Sequence, residues 1–301
     1  MLYNIREMTE HKIILPDGRE LGYAIYGDSS GIPVLYFHGT PSSRLEINIL
    51  EGYNINIEQE LLDSGLQLIA VDRPGMGRSS YHPQRTFITF ANDVIVLMQA
   101  LNISGCSVIC WSGGCPYALA IAHEYPFMIK NVFILCGFTR RFTSEVIRQM
   151  GRNKWYFLSA KYVPWLLEFT LNRVRNTILR RSLPQWVSGL PDADYVFIKD
   201  PKNLYMMSKY TLKEACRNGA KGAVTDARMY FDDFGFRLSA IAQPVQFWWG
   251  TEDNAIIEYH PKALEHQLPN KVLHYKVGQG HLSVYINCFR EVLQAMLKAN
   301  E

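Results

Sequence analysis

The chain has 301 residues, of which 48% are hydrophobic and 20% are charged, and its formal net charge is +3. This length supports one large core, so a single domain with an insertion and a pair of domains are both open. The small net charge excludes a strongly basic polyanion binder, and we expect no nucleic-acid partner.

The start of the chain, MLYNIREMTEHKII, carries charges where a secretion signal needs an apolar core. No run approaches the roughly 18 consecutive apolar residues of a membrane-spanning helix. We therefore expect a cytoplasmic protein without stable membrane insertion. Six cysteines lack the paired spacing of metal ligands and predict buried, free thiols.

Predicted strands and helices alternate through the first part of the chain. A strand pair, residues 11–15 and 21–26, flanks a Pro-Asp-Gly turn. Mostly apolar strands follow at residues 33–37, 66–71, 107–110 and 131–136, and helical spacing covers residues 57–62, 87–101 and 114–125. This alternation predicts an α/β fold with a mostly parallel central sheet flanked by helices.

The alternation stops over residues 139–241, which are rich in helical spacing and aromatic side chains. It then resumes with strands at residues 244–249 and 272–277 and with helices at residues 261–266 and 281–298. We therefore predict one α/β core, made of residues 1–138 and 242–301, that carries a helical insertion at residues 139–241.

The strongest chemical signal is Cys110-Trp111-Ser112-Gly113-Gly114, at the junction of a predicted strand and helix. A serine there sits on a tight turn that lifts its hydroxyl clear of the sheet edge. The positions two before and two after such a serine must be small, a demand that Gly114 meets and Cys110 meets in part. The N–H of Gly113 lies at the helix N-terminus, where it favours an oxyanion.

Three further motifs each follow a predicted strand. Taken singly, each is more often a turn, a helix-capping acid or a surface histidine. Together they fall where open α/β sheets place their ligands, at the carboxyl ends of the strands. The turn after the third strand can present the Thr40 N–H to the same oxyanion. The motifs are His38-Gly39-Thr40-Pro41, Trp249-Gly250-Thr251-Glu252-Asp253 and Gly278-Gln279-Gly280-His281.

With these motifs in the order Ser, Asp, His, the sequence resembles the α/β-hydrolase superfamily, in the capped group that includes proline iminopeptidases and small-molecule esterases. The resemblance covers residues 12–138 and 242 to the end, includes the loop at residues 72–79, and places the insertion where the family carries its cap. Cys110 and Gln279 stand where the family more commonly has glycine.

The resemblance implies a role for each site residue. Ser112 would be the nucleophile, His281 the general base and then the general acid, and Asp253 the acid that orients His281. Thr40 and Gly113 would donate backbone N–H groups to the oxyanion. The reaction would be acyl transfer to water through an acyl-enzyme, with no metal and no organic cofactor.

Several functions remain open at this point. The substrate is a small or medium ester, thioester or amide. An aminopeptidase of the proline iminopeptidase type needs an acidic residue in the cap to hold the free amine of its substrate. Six acidic residues of the insertion are candidates for this role. Haloperoxidase-like and carbon–carbon bond hydrolases keep the serine triad, and a non-catalytic ligand-binding protein would typically lose a triad member. Ser112 argues against dehalogenases and epoxide hydrolases, and Gly75-Met76-Gly77 is too short for a dinucleotide fingerprint. The candidate acids are Glu145, Glu168, Asp192, Asp194, Asp200 and Glu214.

The first part of the insertion is basic and aromatic. We expect its cations to form a solvated helix face, although attraction of an acidic substrate or a membrane surface is the alternative. Its aromatic side chains predict an apolar pocket roof, and Trp111, Trp155 and Trp165 are candidate substrate-binding residues. Residues 139–182 contain two acids and ten basic residues, namely Arg140, Arg141, Arg148, Arg152, Lys154, Lys161, Arg173, Arg175, Arg180 and Arg181.

Overall fold

The computed structural model describes residues 9–175 and 190–300, whose strands form one sheet of eight members. The strands are β1 (Thr9–Ile14), β2 (Glu20–Gly27), β3 (Ile32–Phe37), β4 (Leu66–Val71), β5 (Cys106–Trp111), β6 (Ile129–Leu135), β7 (Val245–Gly250) and β8 (Lys271–Lys276). The sheet order is β1-β2-β4-β3-β5-β6-β7-β8. Strands β3 to β8 run parallel, while β2 is antiparallel to both of its neighbours.

Helices cover the sheet because its central strands are apolar on both faces. All six residues of β5 are buried, as are six of the seven in β6, which is the pattern of a parallel strand covered from both sides. The covering helices are α1 (Ile57–Asp63), α2 (Phe87–Ala100), α3 (Cys115–Glu124), α10 (Tyr259–Gln267) and α11 (His281–Asn300). The predicted α/β fold with a mostly parallel sheet is confirmed, and these elements lie where the sequence places them.

The chain between β6 and β7, which we call the insertion, is helical. Its described residues, 136–175 and 190–244, contain no strand, in agreement with the predicted break in the alternation. A division into core and cap at residues 138 and 242 stays a prediction. The helices are α4 (Ser144–Gln149), α5 (Lys154–Tyr162), α6 (Pro164–Val174), α7 (Asp192–Ile198), α8 (Pro201–Ser208) and α9 (Lys221–Met229).

The six cysteines all lie among the described residues, and each is buried and free, as the sequence predicts. Over the described part of the chain, no helix combines the length and the apolar character needed to cross a bilayer. Residues 1–8, which belong to the segment considered as a secretion signal, lie outside the described residues, as do Arg180 and Arg181.

A buried acid of the insertion joins it to the core. Asp226, on α9, has no exposed surface, and its carboxylate accepts hydrogen bonds from Arg73 Nη2 at 2.9 Å and from Thr40 Oγ1 at 2.6 Å. Tyr117 Oη donates to the same carboxylate at 2.5 Å, and Arg85 lies at 3.4 Å. Burial raises the pKa of Asp226, but the two guanidinium groups outweigh burial and hold this pKa below its ordinary value.

We expect Asp226→Ala to lower the free energy of unfolding by about 3–5 kcal/mol, because it leaves the buried Arg73 cation uncompensated. Urea titration followed by circular dichroism measures the change. Asp232→Ala, which removes an exposed acid just after the same helix, is the matched control and should change stability by no more than about 0.5 kcal/mol. Equal losses in the two variants would contradict the role given to this ion pair.

Candidate active site

Ser112 lies on a sharp turn between β5 and α3. Its φ is +54°, a left-handed conformation that non-glycine residues adopt rarely and that clusters at functional sites. A Cβ atom at Gly114 would overlap the carbonyl oxygen of Phe37, so this position requires glycine, as the sequence predicts. The Cys110 side chain is fully buried, and the turn forms with cysteine in place of the commoner glycine.

Asp253 and His281 meet at the carboxyl ends of two neighbouring strands. Asp253 follows β7 and His281 begins α11, and Asp253 Oδ2 lies 2.8 Å from His281 Nδ1. The other carboxylate oxygen, Oδ1, accepts from the backbone N–H groups of Ala255 and Ile256 at 2.8 and 2.7 Å. The carboxylate is thereby fixed in orientation, whereas the neighbouring Glu252 is exposed.

The surroundings of His281 favour its charged form. Burial lowers its pKa, but the nearby carboxylate of Asp253 outweighs burial and holds the pKa above the ordinary value. Trp111 stacks on the imidazole with ring centroids 5.1 Å apart and an angle of 26° between the planes. A carboxylate on one side and an indole face on the other can both stabilise an imidazolium.

Cys136 completes a cluster with this pair. One ligand-type atom from each of Cys136, Asp253 and His281 lies within 4.8 Å of the others. Burial, with the charge of Asp253, raises the pKa of the Cys136 thiol well above its ordinary value. Because a metal binds the thiolate and not the thiol, the cluster offers two ready ligands instead of three.

Thr40 and Gly113 lie against each other beside Ser112. A Cβ atom at Gly113 would come within 2.7 Å of Thr40 Cγ2 and closer still to Tyr230 Oη, so the side chains of Thr40 and Tyr230 approach the backbone closely because residue 113 lacks a side chain. Both residues are hydrogen-bonded to side chains of the insertion. Thr40 Oγ1 donates to Asp226, and Tyr230 Oη donates to the Gly113 carbonyl oxygen at 2.7 Å.

A cavity of about 450 Å³ opens on Ser112 and His281. Its walls are mostly apolar and come from both the core and the insertion. Trp111, a candidate substrate-binding residue, is among the lining residues. The lining is Gly39, Thr40, Pro41, Glu46, Trp111, Ser112, Phe138, Asn153, Tyr156, Phe157, Leu171, Leu204, Met207, Ser208, Thr211, Leu212, Ala255 and His281.

Trp155 and Trp165, the other two candidate substrate-binding residues, lie outside this cavity. Their side chains are 64% and 70% exposed, and neither lines the cavity. Each lies on the outer face of its helix, while Tyr156, Phe157 and Leu171, on the inner faces of the same helices, line the cavity. The aromatic composition of the segment correctly suggests aromatic cavity walls. The rotation of each helix about its axis, however, turns other aromatic side chains of the segment toward the cavity.

The basic residues of the insertion that the structure describes lie away from the cavity. Among the described residues, no lysine or arginine belongs to its lining. This distribution agrees with the expected solvated face and not with a pocket that binds an anionic substrate.

Two buried acids near the site have no motif in the sequence. Glu46, in a 3₁₀ helix over Glu46–Tyr53, accepts from Tyr36 Oη at 2.6 Å and from the Gly39 N–H at 2.9 Å, and burial raises its pKa to about 7. Asp194, on α7, accepts from backbone N–H groups at the start of α11. The residues around Glu46 and Asp194 in the sequence give no sign of either contact.

Comparisons with known proteins give a consistent result. The protein named Uncharacterized hydrolase YcgS, from Bacillus subtilis (strain 168), is 24% identical over 275 residues, which cover 88% of this chain and 89% of that protein. Among solved structures, one from work on carboxylesterases of the Thaumarchaeon Nitrososphaera gargenis matches this chain with a TM-score of 0.71 at 16% identity. The match covers 97% of this chain and 100% of the other. The esterase RhEst1 from Rhodococcus sp. ECU1013 gives 0.66 at 18% identity, with 97% and 98% covered.

The structural similarities establish a shared fold, and the family assignment comes from the sequence. The family model described as alpha/beta hydrolase fold matches residues 32–287, which include every site residue discussed above. The chain therefore belongs to the α/β-hydrolase family and is a hydrolase of that fold.

Proposed function

We propose that this protein is a serine hydrolase that transfers an acyl group to water through a covalent acyl-enzyme. The observation that carries the proposal is the arrangement of three side chains. Ser112, at a positive-φ turn, opens on the same cavity as His281, and His281 is hydrogen-bonded to the buried Asp253. A nucleophile, a base and a group that orients the base are the components of acyl-transfer catalysis.

The first half of the reaction forms the acyl-enzyme. Since Asp253 accepts at Nδ1 of His281, that nitrogen carries the proton and Nε2 is the free base. Ser112 Oγ attacks the carbonyl carbon while its proton passes to Nε2, and Asp253 stabilises the resulting imidazolium. The backbone N–H groups of Thr40 and Gly113 stabilise the oxyanion.

Departure of the leaving group completes the acyl-enzyme, and the second half of the reaction then releases the acid. The imidazolium gives its proton to the departing alcohol, thiol or amine as the bond from the carbonyl carbon breaks. Water then enters, loses a proton to Nε2 and attacks the acyl carbon, after which the proton returns to Ser112 Oγ and the carboxylic acid leaves.

The cavity favours a neutral, apolar acyl group of small or medium size. Its walls include Phe138, Phe157, Leu171, Leu204 and Leu212, and no basic side chain among the described residues faces it. Apolar walls discriminate weakly, by about 1–3 kcal/mol per methylene. We therefore propose a broad esterase preference, with the insertion setting the size limit as a cap.

An aminopeptidase activity has less support. None of the six candidate acids of the insertion belongs to the cavity lining. Asp194 is bonded to α11 and Glu214 to Arg44. Glu46 does belong to the lining, but it is fully buried and bonded to Tyr36 and Gly39. A free substrate amine would therefore lack an accessible carboxylate among the described residues.

Labelling with a fluorophosphonate probe tests the nucleophile. We expect one equivalent of label on Ser112 in the wild-type protein, and we expect Ser112→Ala to abolish labelling and lower turnover of p-nitrophenyl esters by about 10⁴-fold or more. Ser208→Ala, which removes another hydroxyl from the same cavity, is the control and should label normally. Stoichiometric label at another residue of Ser112→Ala would refute the assignment.

The pH profile tests the base. A protonated His281 cannot accept the Ser112 proton, so kcat/KM should fall on acidification. Because the pKa of His281 is raised, the midpoint should lie above pH 6.5, and loss of activity begins at a higher pH than for an unperturbed histidine. Asp253→Asn should lower kcat by about 10⁴-fold, whereas Glu252→Gln, an exposed neighbour, should have little effect. A profile flat between about pH 5 and 8 is incompatible with a histidine base.

A chain-length series tests the substrate class. We expect kcat/KM for neutral p-nitrophenyl esters to exceed that for matched succinyl esters by about tenfold or more, since burying an unpaired carboxylate in an apolar cavity is costly. Aminoacyl anilides, measured beside the esters, should be poor substrates. A preference for the succinyl series, lost on replacing the arginines of the insertion, would overturn the neutral-acyl assignment.

A further inference from the structure

A second acid of the insertion contacts the helix that begins at His281. Asp194 is buried on α7, and its Oδ2 accepts from the backbone N–H of His281 at 2.9 Å. Its Oδ1 accepts from the N–H groups of Leu282 at 3.1 Å and Ser283 at 2.8 Å, and from Ser283 Oγ at 2.9 Å. One carboxylate therefore receives four hydrogen bonds from the first three residues of α11.

These contacts replace the usual local cap of a helix. The first N–H groups of a helix have no partner within it, and a side chain just before the helix normally accepts from them. Here the preceding residue is Gly280, and a Cβ atom at that position would lie 2.6 Å from the Asp194 carboxylate. The cap comes instead from a residue 87 positions away in the chain. A carboxylate at a helix N-terminus is also favoured by the helix dipole.

The capped residue is the proposed catalytic base itself. Asp194 holds the backbone of His281, while Asp253 holds its imidazole. The charged and titratable groups near the imidazole are Asp253 after β7, Asp194 on α7, Glu46 in the 3₁₀ helix and Cys136 after β6. The carboxylate of Asp194 acts in the same direction as that of Asp253 and raises the pKa of His281.

We propose that Asp194 is a positioning residue that sets His281 for catalysis by capping α11 from the insertion, so that the base is in place only while α7 is docked on the core. This inference rests on the proposed serine-hydrolase function. Asp194 does not meet the substrate, since it is absent from the cavity lining. It acts through the main chain of His281 and through its negative charge.

Asp194→Asn tests the proposal with little change in size. An amide has one oxygen in place of two, so its NH₂ group must face one of the N–H donors of α11. We expect the maximal rate of fluorophosphonate labelling to fall about tenfold to hundredfold, the scale expected when a catalytic group is misplaced by about 1 Å. Since the variant lacks a negative charge near His281, the acid limb of the rate profile should also move to lower pH.

Asp192→Asn is the matched control, because it makes the same charge change on the same helix at an exposed position. It should label at the wild-type rate with an unchanged pH midpoint. A merely structural role for Asp194 would lower stability without moving the midpoint. The proposal is therefore overturned if folded Asp194→Asn, judged by near-UV circular dichroism, keeps the wild-type rate and midpoint.

Ser283→Ala provides a second test should Asp194→Asn fail to fold. It removes one of the four donors, together with the acceptor of the Gly280 N–H, and leaves the charge of Asp194 in place. We expect a loss of about threefold in labelling rate, on the order of one hydrogen bond, at an unchanged midpoint, and a wild-type rate would overturn the proposal. A wild-type protein that does not label at all would instead refute the serine-hydrolase function, and this inference with it.

Discussion

The ion pair between Arg73 and Asp226 is the interaction on which the arrangement of the site depends. Arg73 follows β4, and its guanidinium donates to the carbonyl oxygens of His38 and Gly39 after β3 as well as to Asp226. Asp226 in turn binds Thr40. Two loops at the sheet edge and one helix of the insertion thus meet at this buried ion pair, in which each charge is both paired and hydrogen-bonded, as buried charges must be.

The two buried acids of the insertion act on opposite sides of Ser112. Asp226 is bonded to Thr40, on the side of the proposed oxyanion donors, and Asp194 is bonded to the backbone of His281, the proposed base. An insertion that only shielded the substrate would not need buried charges at both places. The geometry of the reacting groups and the docking of the insertion are therefore coupled, and residues that never contact substrate can affect the rate.

Local sequence was sufficient for much of this structure. The strand ends and their motifs were predictable, because parallel strands bring their carboxyl ends to one edge and glycine reports tight turns such as that at Gly114. The links from Asp194 to His281 and from Asp226 to Arg73 were not, since they join positions 87 and 153 residues apart and depend on packing. For Trp155, composition predicted a pocket aromatic, but the helical phase placed it outside.

Glu46 shows how the fold keeps an acid beside the proposed oxyanion donors. A full negative charge next to Thr40 would oppose a developing oxyanion, because charges interact strongly where water is excluded. Burial raises the pKa of Glu46 to about 7, so the carboxyl is partly protonated at neutral pH. Its remaining charge is directed at the Gly39 N–H and the Tyr36 hydroxyl. The acid thereby shapes the loop that presents Thr40, at a smaller electrostatic cost than a permanently charged carboxylate would impose.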